Sequence, residues 1–146
     1  MGAGIDLVEN DRMREVLDRW GTAFRNRVFL ATEQAYCDSK AFPCRHYAAR
    51  FAVKEAVTKA FGTGITAQLG WRDIEVRRDA LSGAPSVRLS TRGQSLAGQR
   101  SVSDILVSLS HTRNYAVAQA ILIGNTDGGG GQTSEQTGGC QHALDR

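Results

Sequence analysis

The chain has 146 residues, enough for one domain, and carries a net charge of +3 from 18 basic and 15 acidic residues. It has no run of 18 apolar residues and no charged start followed by an apolar stretch, so we expect neither a membrane-spanning helix nor a signal peptide. Its 3 cysteines, Cys37, Cys44 and Cys140, form no C-x-x-C pair, which favours free thiols in a reducing, cytoplasmic compartment.

The first element is predicted to be a strand over residues 3–8. Ile5 and Leu7 alternate with Asp6 and Val8, which is the period of two expected of a strand. Asp6 therefore lies between apolar neighbours, where a lone carboxylate is costly to bury.

A helix is predicted next, beginning at a cap formed by Asn10 or Asp11 and stopping at Gly21. Its apolar residues recur at helical spacing and are Met13, Val16, Leu17 and Trp20. Arg12 and Arg19 fall outside this apolar stripe, so we expect both to face outward.

Two shorter helical segments lead to a long helix. The first of them contains Phe24, Val28 and Phe29. The second has Thr32 as its expected N-cap and runs to about Lys40. Pro43 suits the first turn of a long helix over about 43–61, which should end at Gly62.

The second half of the chain predicts two hairpins separated by a short helix at about 92–100. Apolar residues alternate at 74–76 and at 87–89, with turn-forming residues between them. The second hairpin pairs 105–110 with 115–123, and the last strand, apolar on both faces, should be central in its sheet.

The composition changes abruptly after Gly124. Residues 125–146 are rich in Gly, Gln, Ser and Thr, and such a segment cannot bury enough apolar surface to offset the entropy lost on ordering. We therefore predict a domain over 1–124 and a disordered tail over 125–146. A chain ending at Gly124 should keep whatever activity this domain has.

The long helix concentrates the candidate chemistry. Glu55 and Lys59 share one stripe with Tyr47 and Phe51, each four residues from the next. On this helix alone the two charged residues could simply form a surface ion pair, and Asp6 could cap a backbone amide or face water. Brought together, however, two carboxylates would repel each other, and a divalent cation such as Mg²⁺ would relieve that repulsion.

Two turns offer further contacts to a ligand. Gly62 and Gly64 flank Thr63 and would let a base or sugar approach the backbone, although an ordinary helix C-cap explains them equally well. His111, at the tip of the last hairpin, could hydrogen-bond a phosphate or could be an ordinary exposed turn residue.

These motifs together resemble the holo-acyl-carrier-protein synthase type of phosphopantetheinyl transferase over about residues 3–123. The matching segments are Gly4-Ile-Asp-Leu-Val-Glu9, Arg50-Phe-Ala-Val-Lys-Glu-Ala-Val-Thr-Lys-Ala-Phe-Gly-Thr-Gly-Ile65, Trp71-Arg-Asp-Ile-Glu-Val76, Ser108-Leu-Ser-His-Thr112 and Tyr115-Ala-Val-Ala118. The resemblance implies an α+β fold in which an antiparallel sheet wraps around a long central helix, with smaller helices at its side. It also implies transfer of 4′-phosphopantetheine from coenzyme A to a serine of an apo acyl carrier protein, releasing adenosine 3′,5′-bisphosphate.

The resemblance also assigns roles to residues. Asp6 and Glu55 would bind Mg²⁺ and, with Lys59, form the catalytic set. We hypothesise in addition that Glu55 takes the serine proton, directly or through a metal-bound water. Contacts to coenzyme A are expected from Arg50, Lys54, Lys59, Gly62, Thr63, Gly64, His111 and Thr112. Arg12 and Arg19 would meet the acidic carrier protein, and a homotrimer with sites between subunits is expected.

Other functions remain open at this point. The chain could be a specialised transferase for a polyketide or peptide-synthesis carrier, which would differ in its docking surface. A non-catalytic coenzyme A-binding or carrier-binding subunit is disfavoured by the intact Asp6 and Glu55. A nucleic-acid-binding domain is disfavoured because basic residues are spread over many elements and aromatic residues make up only 7% of the chain.

Overall fold

The computed structural model describes residues 1–125. Its elements, in chain order, are β1 (Gly2–Glu9), α1 (Asn10–Val28), α2 (Ala31–Asp38), α3 (Pro43–Phe61), a 3-10 turn (Trp71–Asp73), β2 (Ile74–Arg78), β3 (Pro85–Leu89), α4 (Thr91–Gln99), β4 (Val102–His111) and β5 (Tyr115–Gly124). The predicted α+β fold is confirmed. The predicted disordered tail, apart from Asn125, and Cys140 lie outside the described residues. No helix in the described range is long and apolar enough to cross a bilayer.

The strands form two antiparallel sheets. One has the order β1-β5-β4, and the other is the hairpin β2-β3. As predicted, β5 is central. Its buried face carries Ala116, Ala118, Ala120 and Leu122, which pack toward the long helix. In the register of the sheet, Asp6 lies opposite Ala118, and Ala118 lies opposite Leu109.

The helix α3 forms the centre of the domain. It begins with Pro43 in its first turn and ends at Gly62, which adopts a left-handed cap with φ of 70°, so both predicted ends are confirmed. Small and β-branched residues, among them Ala52, Val53 and Ala56, are fully buried along it. These short side chains allow the sheet to approach the helix closely.

Strand β1 packs directly on α3 at its glycines. A Cβ atom added at Gly4 would overlap the carbonyl oxygen of Ala56 and lie 2.7 Å from the amide nitrogen of Ala60. A Cβ atom at Gly2 would likewise overlap the carbonyl oxygen of Ala60. The absence of side chains here brings Asp6, two residues after Gly4, toward the last turns of α3.

The start of α1 and its kink partly match the predictions. Asn10 does not cap the helix, because its buried side-chain amide donates instead to the carbonyl oxygens of Thr112 and Arg113, at 3.1 Å and 3.0 Å. Gly21 breaks the helical geometry with φ of 49° and ψ of −127°, as expected of a stop. Trp20, predicted on the buried stripe, is 58% exposed just before this kink.

The predicted cap of α2 is wrong. The helix begins at Ala31, and Glu33 accepts a hydrogen bond from the backbone amide of Leu30 at 2.8 Å. Thr32 instead donates its hydroxyl to Glu75 at 3.0 Å. Leu30 is therefore the N-cap residue, and the Glu33 carboxylate binds the amide of that residue from within the first turn.

Candidate active site

Asp6 and Glu55 line the same cleft, of about 380 Å³, between β1, α1 and α3. We call it the acidic cleft; its walls also include Glu9, Arg12 and Phe51. Asp6 reaches it from the inward-facing side of β1, and Glu55 from the stripe of α3 that begins at Tyr47. The side chain of Asp6 is 15% exposed, so the carboxylate is largely withdrawn from water.

Lys59 pairs with Asp6, not with Glu55. Its ammonium nitrogen lies 2.8 Å from Asp6 Oδ1 and donates a second hydrogen bond to the carbonyl oxygen of Ile5 at 3.1 Å. The hydrogen bond to Asp6 raises the pKa of Lys59. The alternative of a simple Glu55–Lys59 surface pair is therefore wrong.

Glu55 lies in an environment that disfavours its negative charge. Burial, and then the nearby Asp6 carboxylate, raise the pKa of Glu55, while the positive charge of Lys59 opposes them. A partly buried carboxyl beside a second carboxylate is an arrangement that either a proton or a cation would stabilise.

The donor set of the acidic cleft fits a hard divalent cation. Asp6 and Glu55 offer carboxylate oxygens, and Mg²⁺ commonly uses one or two carboxylates while keeping several waters. Within residues 1–125 no group of three or more His, Cys, Asp or Glu side chains forms a ligand cluster. An ion bound here would thus take its remaining ligands from water or from a phosphorylated substrate.

A second cleft, of about 340 Å³, opens between α2, α3, the β2–β3 hairpin and the end of β4. We call it the basic cleft; it is lined by Tyr36, His46, Arg50, Arg78 and His111, among others. None of the lining residues in the described range is acidic. The charge of this cleft is thus suited to an anion.

Arg50 is the most enclosed cation of the basic cleft. Its guanidinium carbon lies 4.0 Å from the centre of the Tyr36 ring, and the residue is only 6% exposed. Its buried Nε has no hydrogen-bond partner among the residues that the structure describes. Buried polar groups are normally satisfied, so this donor marks Arg50 as a cation whose hydrogen bonds are incomplete within the described residues.

The sequence pointed to Arg50 and His111 but missed their neighbours. His46 lies one turn before Arg50 on α3, and its ring centre is 5.6 Å from that of His111. Arg78 donates a hydrogen bond to the Tyr36 hydroxyl at 2.9 Å. The spacing of four residues between His46 and Arg50 was a usable signal. Tyr36 and Arg78 meet only through the tertiary fold.

The two clefts lie at opposite edges of the three-stranded sheet. Asp6 is on edge strand β1 and His111 is on edge strand β4, with β5 between them. Glu55 follows Arg50 by five residues, so the two side chains leave α3 in directions about 140° apart around the helix axis. One chain therefore brings Asp6, Glu55 and Lys59 together, and separately Arg50 and His111, but does not join the two groups.

Comparison of the sequence with known proteins identifies the family of the chain. Residues 2–120 match the family model described as the 4′-phosphopantetheinyl transferase superfamily. The chain belongs to this superfamily. It is 44% identical over 126 residues to the "Holo-[acyl-carrier-protein] synthase" of Syntrophus aciditrophicus, covering 86% of this chain and 98% of that protein. It is 45% identical over 120 residues to the protein of the same name from Chlamydia trachomatis serovar L2 strain 434/Bu, covering 82% and 97%.

Solved structures agree with this membership. The holo-[acyl-carrier-protein] synthase of Neisseria meningitidis superposes with a TM-score of 0.78 at 29% identity, covering 84% of this chain and 97% of that one. The Helicobacter pylori enzyme, solved in complex with coenzyme A, has a TM-score of 0.74 at 27% identity over 83% and 99% of the two chains. A Bacillus anthracis synthase, solved in complex with CoA (3′,5′-ADP), has a TM-score of 0.70 at 33% identity over 85% and 96%.

In this phosphopantetheinyl transferase domain, Lys54 does not take the place predicted for it. Its side chain is fully buried, and its ammonium lies 2.9 Å from Glu33 Oε2. The same ammonium donates to the carbonyl oxygens of Trp71 at 2.9 Å and Ile74 at 2.6 Å. The predicted contact of Lys54 with coenzyme A is thus contradicted, because its donors are used inside the core.

The Trp71–Val76 segment of the transferase likewise forms part of the scaffold. Both Nε and Nη2 of Arg92 donate to Asp73 Oδ2, at 3.0 Å and 2.7 Å, and Ser90 donates to Asp73 Oδ1 at 2.6 Å. These hydrogen bonds lower the pKa of Asp73 against the opposing effect of burial. Asp73 thus fixes the start of α4 against the 3-10 turn.

The remaining predicted ligand contacts lie on exposed turns. Gly62 and Gly64, with φ of 70° and 63°, shape the turn that follows Lys59 and α3, and the Thr63 hydroxyl donates to the carbonyl oxygen of Gly64 at 2.9 Å. The Thr112 hydroxyl accepts a hydrogen bond from the backbone amide of Tyr115, at 3.1 Å, in the β4–β5 turn.

Arg12 and Arg19 are exposed on α1, as predicted. Arg12 also lines the acidic cleft. Arg19 lies with its guanidinium carbon 5.3 Å from the ring centre of the exposed Trp20. Sequence reasoning missed Trp20 as a surface residue of this face.

Proposed function

We propose that the chain transfers 4′-phosphopantetheine from coenzyme A to a serine of an apo acyl carrier protein and releases adenosine 3′,5′-bisphosphate. The observation that carries this proposal is the meeting of Asp6 and Glu55 in the acidic cleft, with Lys59 hydrogen-bonded to Asp6, in a member of the phosphopantetheinyl transferase superfamily. Relatives named as carrier-protein synthases, two of them solved with coenzyme A or its nucleotide part, support it.

The chemistry needs positioning and charge neutralisation more than an enzyme nucleophile. The serine oxygen forms a bond to the pyrophosphate phosphorus that carries pantetheine, and the bond from that phosphorus to the bridging oxygen breaks. The bridging oxygen leaves with adenosine 3′,5′-bisphosphate. The carrier supplies the nucleophile, which explains why no serine or cysteine of this chain needs activation.

Glu55 is our choice for the base that accepts the serine proton. Its pKa is raised in the metal-free chain, by burial and then by Asp6, and a cation bound beside it would oppose that shift. Glu55 would take the proton directly or through a metal-bound water. Lys59, held on Asp6, carries positive charge at the same edge of the cleft, where the phosphate charge develops.

The acidic cleft would hold Mg²⁺ on Asp6 and Glu55. When bound, the ion supplies neutralisation of the pyrophosphate charge and orients its oxygens. Arg50 and His111 would bind phosphates of the same coenzyme A molecule in the basic cleft, which they line. The Nε of Arg50 has no hydrogen-bond partner among the described residues.

We further propose that the enzyme acts as a homotrimer with donor sites between adjacent copies. The face of the sheet turned away from α3 exposes large apolar side chains, with Ile5 and Leu7 each 62% exposed and Leu106 51% exposed. Such a surface is typical of an interface. If the β1 edge of one copy packed beside the β4 edge of the next, the acidic cleft of the first copy would lie next to the basic cleft of the second.

The carrier protein is proposed to dock on the exposed face of α1. Arg12 and Arg19 offer positive charge to an acidic partner, and the exposed Trp20 adds the aromatic contact that is common at the centre of interfaces. A cytoplasmic location fits the free thiols of Cys37 and Cys44.

The test is intact-mass spectrometry of an apo acyl carrier protein after incubation with the chain, coenzyme A and Mg²⁺, with EDTA as control. We expect a mass gain of one phosphopantetheine that EDTA abolishes. A gain that persists in EDTA would contradict the role of the metal. No gain with any fatty-acid or polyketide carrier, despite measurable coenzyme A binding, would favour a binding subunit.

A further inference from the structure

We propose that His46 is a third phosphate-binding residue of the basic cleft, which contacts the donor as an imidazolium, so that the protein takes up a proton when the donor binds. This inference rests on the proposed function in one respect, namely that the donor is coenzyme A. It assigns His46 a role in affinity for the donor and in its pH dependence.

The position of His46 supports direct contact with a bound anion. It lines the same cleft as Arg50 and His111, and the centres of the two imidazole rings are 5.6 Å apart. The edge of the Tyr36 ring, 5.8 Å away between centres, fixes the other side of the His46 ring. An anion bound in this cleft would therefore lie beside Arg50 and both imidazoles, which line it together.

The groups that face His46 carry positive charge or none. They are Tyr36 from α2, Lys40 just after α2, Arg50 from α3, Arg77 and Arg78 from β2, and His111 from β4. The Tyr36 hydroxyl accepts a hydrogen bond from Arg78, and the Tyr36 ring lies under Arg50 and Lys40. No carboxylate lines the cleft within residues 1–125. An imidazolium at His46 thus lacks a counter-charge until an anion enters.

This environment makes protonation depend on the ligand. Burial, and then the nearby His111, hold the pKa of His46 below its ordinary value in the empty cleft. A phosphate bound in the cleft beside the two rings would add negative charge close to His46 and so favour its protonated form. If the ligand raises the pKa of His46 by about one unit, affinity falls about tenfold as pH rises through both pKa values.

The experiment is calorimetric titration of coenzyme A into the full chain with Mg²⁺, in two buffers that differ in ionisation enthalpy. We expect net proton uptake and a loss of affinity of about tenfold as pH rises through the pKa values of His46 in the free and the bound protein. Dephospho-coenzyme A, which lacks the 3′-phosphate, identifies the group bound. If proton uptake persists with dephospho-coenzyme A, His46 contacts the pyrophosphate. If proton uptake is lost with dephospho-coenzyme A, His46 contacts the 3′-phosphate.

Two variants isolate His46. H46Q keeps a polar side chain, and H46F keeps an aromatic ring against Tyr36, but neither can titrate. Both should bind coenzyme A with less proton uptake and a flatter pH dependence. The third histidine, His142, lies beyond the segment that matches the family model, so H142Q is the matched control and should behave like the wild type.

The outcomes separate the two proposals. Proton uptake in H46Q and H46F equal to that of the wild type would overturn the role of His46, even if the carrier is modified normally. Failure of the wild type to bind coenzyme A, together with no mass gain on any carrier, would overturn both proposals.

Discussion

The ammonium of Lys54 lies 2.9 Å from the carboxylate of Glu33, with 0% and 1% of the two side chains exposed. Glu33 also accepts the backbone amides of Leu30 and Val76, so this ion pair joins α2, α3 and β2. Breaking such a pair leaves a buried charge without a partner, which is more destabilising than removing both charges together.

We therefore predict that K54M and E33Q each lower the free energy of unfolding by about 3–5 kcal/mol. The double variant E33L/K54M should recover much of that loss, because no charge is left buried alone. Urea denaturation at one protein concentration measures all three. A K54M protein of normal stability that had lost coenzyme A binding would instead restore the direct contact that the sequence predicted.

Replacing the proposed base should remove turnover without unfolding the protein. E55Q keeps the shape of the side chain but cannot accept a proton, so the rate of carrier modification should fall about 10²–10⁴-fold. Initial rates from intact-mass spectrometry measure this. E75Q, on β2 at a residue that lines neither cleft, is the control. A wild-type rate in E55Q would remove Glu55 from the mechanism.

The raised pKa of Glu55 predicts a pH-dependent cost to stability in the metal-free protein. A carboxyl whose folded pKa lies above its unfolded value favours folding at low pH, and that advantage is lost as pH rises through the folded pKa. E55Q should therefore be more stable than wild type at neutral pH when EDTA is present.

The cause of this shift can be tested in the same metal-free protein. D6N removes the neighbouring carboxylate that contributes to the shift, so it should lower the pKa of Glu55. Carbon-detected NMR of the Glu55 carboxyl across the acid range measures it. An unchanged titration in D6N would show that burial alone accounts for the shift.

The bounds of α3 could be predicted because Pro43 and Gly62 act locally, through the backbone angles that each favours. The central place of β5 followed from its apolar residues on both faces. The error at Thr32 had a distant cause. Glu33 is held by Lys54, which is 21 residues away, and no local pattern reveals that pairing.

The candidate site also combines residues that local sequence could identify with residues that only the tertiary fold reveals. Asp6 and Glu55 could be selected because a carboxylate between apolar residues and one on a partly aromatic stripe are both unusual. The assignment of Lys54 failed because a lysine on a helix gives no sign in the sequence of whether it faces the core. Tyr36, His46 and Arg78 come from three elements, and their common cleft exists only once α2 and the β2–β3 hairpin pack against α3.

The close packing of β1 on α3 predicts an effect of a single methyl group. G4A would force the strand away from Ala56 and should destabilise the fold by about 1–3 kcal/mol or more. In α4, Gly98 has nothing within 4 Å of an added Cβ, so G98A is the matched control and should be neutral or stabilising. Thermal unfolding compares the two. Equal stability of G4A and wild type would contradict the close packing.

The exposed sheet face predicts how assembly and activity are linked. L7K places a charge on the proposed interface and should give a monomer in analytical ultracentrifugation, with loss of carrier modification. Leu81 is 98% exposed in the β2–β3 turn, so L81K is a control that should change neither property. A fully active L7K monomer would show that one chain forms a complete site.

The contact between Gly4 and Ala56 involves main-chain atoms on the helix side and no side chain on the strand side. The spacing of Asp6 and Glu55 is therefore set by two backbones and not by the rotamers of intervening core residues. Divergent sequences can exchange the apolar residues of the domain and still inherit this spacing, provided that the strand keeps its glycine. The tolerance of the site to changes in sequence thus depends on the missing side chains of Gly2 and Gly4.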